Sequence, residues 1–168
     1  LPAPGSRKLF GFLCWQCGWN HCLGCVWGVL RAPGRGCLLC QGEPFRPERV
    51  EQRLQWGFVP QSLALYDELS GEENLRLFGG LYGLRGALLR ERVEEGLVAA
   101  QLQDRRRDTV QTYSGGMRRR LHIVAAMLHR PQLLLCDAPT VVVDPHSLTA
   151  IFDFVQTLHA QGMNVVYH

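Results

Sequence analysis

YSGGMRRRLHIVAAMLHRPQLLLCDAPTVVVDP, residues 113–145, decides how this chain folds. Ser114 is an N-cap candidate, and Gly115 and Gly116 let the backbone approach a ligand at the positive end of a helix dipole. Behind them Met117, Leu121, Val124, Ala125 and Leu128 recur at helical spacing. That spacing predicts an amphipathic helix with Arg118, Arg119 and Arg120 mostly turned outward. Leu133, Leu134 and Leu135 form a short apolar run, as a strand buried on both faces would. Asp137 follows at the C-terminal end of that strand, where open α/β sheets bind ligands. Asp144 and Pro145 then supply an N-cap and a first helical residue.

Working outward, KLFGFL at residues 8–13 is short and apolar enough to be a buried strand. Residues 38–42 and 44–50 read as a strand, a turn and its continuation, and residues 55–59 as the next strand. Ser70 to Glu73 has the form of a capping box, and the helix it opens carries Leu75, Leu77, Phe78, Leu81 and Tyr82. A second helix is predicted over 85–100, with Leu88, Leu89, Val93, Leu97 and Val98 as its apolar side. After Pro145, Leu148, Ile151, Phe152, Val155 and Leu158 give a third helix its buried stripe. Gly162 ends that helix and residues 164–167 begin a strand. The alternation predicts an α/β fold with a mainly parallel sheet.

A chain of 168 residues is long enough for one domain with a sizeable core, and 46% hydrophobic with 20% charged residues is a globular composition. A net charge of +3 makes no demand for nucleic acid or an acidic membrane. The basic triplets Arg105–Arg107 and Arg118–Arg120 come with no DNA or RNA motif and read as solvated faces, so no nucleic-acid partner is expected. No apolar stretch approaches the ~20 residues that a spanning helix needs. Arg7 and Lys8 precede an apolar run, but it is short and no small-residue cleavage site follows. The expected location is the cytoplasm.

Several ordered motifs together resemble the ATP-binding subunit of an ABC transporter, over most of residues 8–167. YSGGM matches the family's signature, LLLCD its Walker B strand, VVVDP its D-loop and GFVPQ its Q-loop; ALYDELSGEENLRLFGGLYGL is similar to the helical subdomain of exporter-type subunits. The resemblance implies a P-loop NTPase-like sheet with an inserted helical subdomain at about residues 62–112, the whole of 1–168 being one nucleotide-binding domain, incomplete at both ends. It implies ATP and Mg²⁺ as ligands, Asp137 and Gln61 acting at the metal or the attacking water, and Ser114, Gly115, Gly116, Met117 and Asp144 meeting nucleotide. It also implies two partners, a transmembrane permease and a second, identical or different, ATP-binding subunit. The protein would then sit peripherally on the cytoplasmic face of the membrane.

The chain departs from the family at its own nucleotide site. The phosphate loop, G-x-x-x-x-G-K-[ST], supplies close backbone N–H groups, a Lys and a Mg²⁺-binding hydroxyl. By position it falls on Cys14, Trp15, Gln16, Cys17, Gly18, Trp19, Asn20 and His21, with both pattern glycines, the Lys and the hydroxyl replaced. Ala138 stands where the family has its catalytic Glu, and the switch histidine would fall two residues beyond His168. The missing parts serve the chain's own (cis) site, whereas the signature and D-loop serve a partner's. The expectation is an exporter ATPase subunit impaired in cis that completes a partner's site. Six of the seven cysteines nevertheless form three C-x-x-C pairs, with nineteen residues between Cys17 and Cys37. Zinc held by Cys14, Cys17, Cys37 and Cys40 on a decayed nucleotide-binding scaffold is therefore the alternative.

Overall fold

The computed structural model describes residues 9–11, 39–40, 43–44, 46, 49–137, 145–160 and 162–167. Four strands make one parallel sheet in the order β1 (Leu9–Gly11), β6 (Asn164–Tyr167), β5 (Leu133–Cys136) and β4 (Trp56–Val59). Its central register pairs Leu134 with Gly57 on one side and with Val165 on the other. Leu134 and Val165 are fully buried, as strands covered on both faces require. The chain is α/β with a parallel sheet, as the alternating pattern predicts.

A separate antiparallel pair joins β2 (Leu39–Cys40) to β3 (Glu43–Pro44). The strand predicted over 44–50 stops at Pro44, and α1 (Val50–Arg53) begins where it was to end. Pro44 and Pro47 cannot donate to a ladder, and Val50 is half exposed. The Gln52 side chain accepts a hydrogen bond from Arg46 N at 2.7 Å, closing the turn locally.

Ser70 starts α2 (Gly71–Leu81) with a complete capping box. Glu73 N donates to Ser70 Oγ at 3.2 Å, and the Glu73 carboxylate accepts from Ser70 N at 2.8 Å. Asn74, fully buried one residue on, exchanges two hydrogen bonds with the Tyr66 backbone, both of 2.9 Å. That amide fixes the approach of the preceding loop at no cost in unpaired polar atoms. Leu75 is buried, while Leu77 and Leu81 of the predicted stripe face outward.

In α3 (Gly86–Ala99) the stripe is also narrower than the sequence pattern drawn for it. Val93 and Leu97 are buried and Leu89 packs against the core, but Leu88 and Val98 are exposed. Each stands five residues from Val93, which at about 100° per residue is ~140° round the helix. Arg106 ties this region together from outside, donating to Glu72 at 2.7 Å and pairing with Glu94 at 2.9 Å.

The helix predicted after Ser114 is α4 (Gly115–Met127), and it packs against α2, α3, β4 and α5 (Pro145–Ala160). Pro145 is the first residue of α5, its fixed φ suiting that position. Phe154, Val155 and Leu158 are buried on α5, and Gly162 at φ +101° reverses the chain after it. Phe154 was not part of the predicted stripe; the side chains of Leu148, Ile151 and Phe152 lie outside what is described.

Two close approaches hold α4 in place. A Cβ on Gly96 of α3 would stand 2.6 Å from Val124 Cγ1. A Cβ on Gly57 of β4 would stand 2.5 Å from the Ala126 carbonyl oxygen, which is backbone and cannot swing away. Gly57→Ala is therefore expected to push β4 and α4 apart and cost about 1–3 kcal/mol. Urea denaturation of the two proteins checks this, and an unchanged midpoint would show that the seam has slack.

Candidate functional site

β4 and β5 end side by side, with Val59 opposite Cys136. Beyond that pair the Asp137 N–H donates to Val59 O at 2.9 Å, so the strand end carrying Asp137 and the loop carrying Gln61 leave the sheet at one edge. Asp137 is 7% exposed, whereas the Gln61 side chain is open to solvent.

Ser114 caps α4 as its sequence predicts: its Oγ accepts from Met117 N at 3.2 Å. Ser114 and Gly115 are exposed, Gly116 is buried and Met117 is half-buried. The first-turn amides of a helix lack intrahelical acceptors, so the Gly115 and Gly116 N–H groups stand beside an exposed hydroxyl at a positive helix end. An anion is what such an arrangement holds best.

The three arginines that follow were expected on a solvated face, and here the structure corrects the sequence. Arg119 is 3% exposed. Its guanidinium donates to Pro60 O at 3.0 Å and Gln61 O at 2.9 Å, reaching from α4 to the edge of the sheet. Arg120 is half-buried and donates to Ala100 O at 2.9 Å, closing the C-terminal end of α3. Arg118 donates to Gln111 O at 2.9 Å and pairs with Asp67 at 3.3 Å. An α4 covered on nearly every side explains the correction, since Leu121 to Ala126 are all buried. The apolar run over residues 123–128 after the arginines was the available signal; a single stripe was too narrow a reading of it.

Burial pulls the Arg119 guanidinium below its ordinary range, opposed by the adjacent Cys136 and Asp137 side chains. Burial also pushes the Cys136 thiol up to about 12, so Cys136 is a neutral core group. One turn along α4 from Arg119, His122 is 4% exposed and its Nδ1 has no hydrogen-bond partner. Burial first, and the Arg119 charge second, lower its pKa to about 4.

Gln61 and Asp137 are thus brought to one edge, with Arg119 joining that edge to the helix that Ser114 opens. Cys14, Gly18, Trp19, Asn20 and His21 of the phosphate loop, Ala138 and Asp144 all lie outside the described residues. So do Cys14, Cys17 and Cys37 of the zinc alternative, while Cys40 is on β2. Among the described residues no three His, Cys, Asp or Glu side chains form a metal-binding group.

A family model described as ABC transporter matches residues 24–141. The chain belongs to the ABC transporter ATP-binding family. It is 42% identical over 132 residues to the linearmycin resistance ATP-binding protein LnrL of Bacillus subtilis, covering 79% of this chain and 42% of that protein. It is 38% identical over 141 residues to the daunorubicin resistance ATP-binding protein DrrA3 of Streptomyces coeruleorubidus, covering 84% of this chain and 45% of that protein. A Nod factor export ATP-binding protein I, from Cupriavidus pinatubonensis, is 40% identical over 138 residues, which are 82% of this chain and 42% of that one. This ABC chain therefore spans less than half the length of these relatives.

Two solved structures share the fold. cbiO1 from Clostridium perfringens, part of the ABC transporter complex cbiONQ, superposes with a TM-score of 0.85 at 18% identity, over 96% of this chain and 66% of that one. An ATP-binding subunit of an ABC transporter gives 0.71 at 28% identity, over 95% and 65%. No helix among the described residues is long and apolar enough to cross a membrane.

His122 makes the stability of this ABC domain depend on pH. Its folded pKa, about 4, lies below its ordinary 6.5, so the unfolded chain takes up the proton first. The contribution is complete above pH ~6.5 and is lost as pH falls towards 4. Wild type should lose about 3 kcal/mol more than His122→Leu between neutral pH and pH 4, by urea denaturation at each pH. Parallel losses would show that His122 is charged inside the fold.

Proposed function

We propose that this chain is the ATP-binding subunit of an ABC exporter, impaired at its own nucleotide site and completing the site of a partner subunit. The observation that carries this reading is the start of α4. Ser114 and Gly115 are exposed at the N-terminus of a helix whose later residues, Leu121 to Ala126, are all buried. A rigid helix end that offers a hydroxyl and first-turn amides to the outside suits an anion supplied by another molecule. The cis losses at Cys14, Trp19, Asn20, His21 and Ala138 support the same asymmetry.

ATP is the energy source in such a transporter, and Mg²⁺ supplies charge neutralisation on its phosphates. On this chain Asp137, buried at the end of β5, and Gln61, on the loop beside it, are the residues that would hold the cation. Ala138 has no carboxylate with which to polarise water. Ser114, Gly115, Gly116 and Met117 would face the terminal phosphate of a partner's ATP, with Asp144 on the adjoining D-loop.

The partner ATPase is either another copy or a different, intact subunit. The second partner is a transmembrane permease, which places the chain at the cytoplasmic face of a membrane; no nucleic acid is involved. The segment at about 62–112 serves as the helical subdomain, and its exposed Tyr66, Leu77, Leu81 and Leu88 suit a permease contact. Relatives named for drug resistance and Nod factor export favour export over import.

Two measurements test the proposal. The purified chain should show no magnesium-dependent ATP turnover by itself, and robust turnover would sink the cis impairment. Assembled with a hydrolysing partner subunit, Gly115→Asp should lower turnover by about tenfold to a hundredfold. A carboxylate there favours the helix dipole, so the fold is kept while the phosphate is repelled. Turnover equal to wild type would remove the trans role.

A further inference from the structure

Three successive carbonyl oxygens at the edge of the sheet are each held by a donor from elsewhere in the chain. Val59 O accepts from the Asp137 N–H at 2.9 Å. Pro60 O and Gln61 O accept from the two terminal nitrogens of Arg119, at 3.0 and 2.9 Å. The backbone leading into the exposed Gln61 side chain is thus fixed from both sides, by the strand end that carries Asp137 and by the helix that Ser114 opens.

We propose that Arg119 is a positioning residue that holds the Gln61 loop in register with the N-terminus of α4, so that engagement of Ser114–Met117 moves the two together. The proposal extends the trans role of the signature and rests on it for its functional arm.

The geometry suits coupling more than stability. Arg119 follows Ser114 by five residues, about a turn and a half of helix, and Arg118 N donates to Ser114 O at 2.9 Å within that span. A displacement of the helix start is transmitted along a stiff element whose far side is packed against α3 by Val124. A planar fork bridging two consecutive carbonyls also fixes orientation, which a flexible ammonium does not. For stability alone, an apolar side chain of the same length would pack this position without the cost of a buried charge.

The test uses Arg119→Met, which keeps the stem and removes the fork, and Arg119→Lys, which restores one donor. In the full chain alone, amide order parameters at Gln61 and Ser62 should fall from about 0.85 towards 0.6 or below in Arg119→Met. Arg119→Lys should recover part of that order, and Val59 and Asp137 should stay as in wild type. Unchanged order at Gln61 and Ser62 would overturn the clamp, and so would an equal loss at Val59, Asp137 and throughout α4, which would mark a general loosening.

In a complex with a hydrolysing partner subunit, Arg119→Met should leave the KM for ATP within twofold and lower kcat by at least tenfold, with partial rescue by Lys. Wild-type kcat in Arg119→Met, or a kcat and KM that fall and rise together without rescue, would overturn the coupling. The two readings fail separately. A wild-type chain that adds no turnover to the partner removes the trans role, while the order parameters still decide whether Arg119 holds Gln61.

Discussion

A guanidinium taken out of water costs several kcal/mol unless its N–H groups find acceptors. Arg119 meets that condition at the Pro60 and Gln61 carbonyls, with Asp137 close enough to favour its charge. Much of the site's arrangement follows from this one constraint. α4 must lie where Arg119 reaches the sheet edge, the loop after β4 must present consecutive oxygens to it, and β5 must end beside that loop. The Asp137 N–H bond to Val59 O completes the set from the other strand. What elsewhere is an exposed loop is here a backbone determined at three successive positions.

The rest of the fold brings α4 close enough for that reach. Gly96 and Gly57 remove the Cβ atoms that would hold α3 and β4 away from it. The capping box at Ser70 and the buried Asn74 amide set the direction of α2 and the loop before it. Arg120 and Arg118 attach the same helix to the end of α3 and to the segment before Tyr113. A central helix held on so many sides behaves as a strut. Its start is then a firm presentation of the exposed Ser114 and Gly115, which suits the trans role proposed above.

The chemistry of the site is uneven in a way that electrostatics makes intelligible. Asp137 is the one acidic side chain at the buried strand end among the described residues, and Arg119 already lies near it. By the placement that the family resemblance implies, Ala138 adds no second carboxylate and Asn20 adds no Lys charge. Backbone amides and a hydroxyl at the start of α4 do not depend on those losses if, as proposed, they serve a ligand held by a partner. Membership of the ABC transporter ATP-binding family and an asymmetric role within a pair of such subunits are therefore compatible.

The sequence by itself determined most of the described elements and their order. Alternation of apolar runs with helical stripes marked a parallel α/β sheet, Ser70 and Ser114 marked helix starts, and Gly162 marked a helix end, because each of these signals is local. The position of Asp137 at a strand end was legible too, as was that of Gln61 just after a strand. Only the tertiary structure decided which faces are buried. Leu88 and Val98 looked like core and are exposed, since α3 has neighbours on one narrow side. Arg119 looked solvated and is buried, since α4 has neighbours nearly all round. Periodicity measures how residues share a face along one helix; it carries no information about how many other elements cover that helix. That number follows from contacts between residues as distant as Gln61 and Arg119, and there the sequence pattern falls silent.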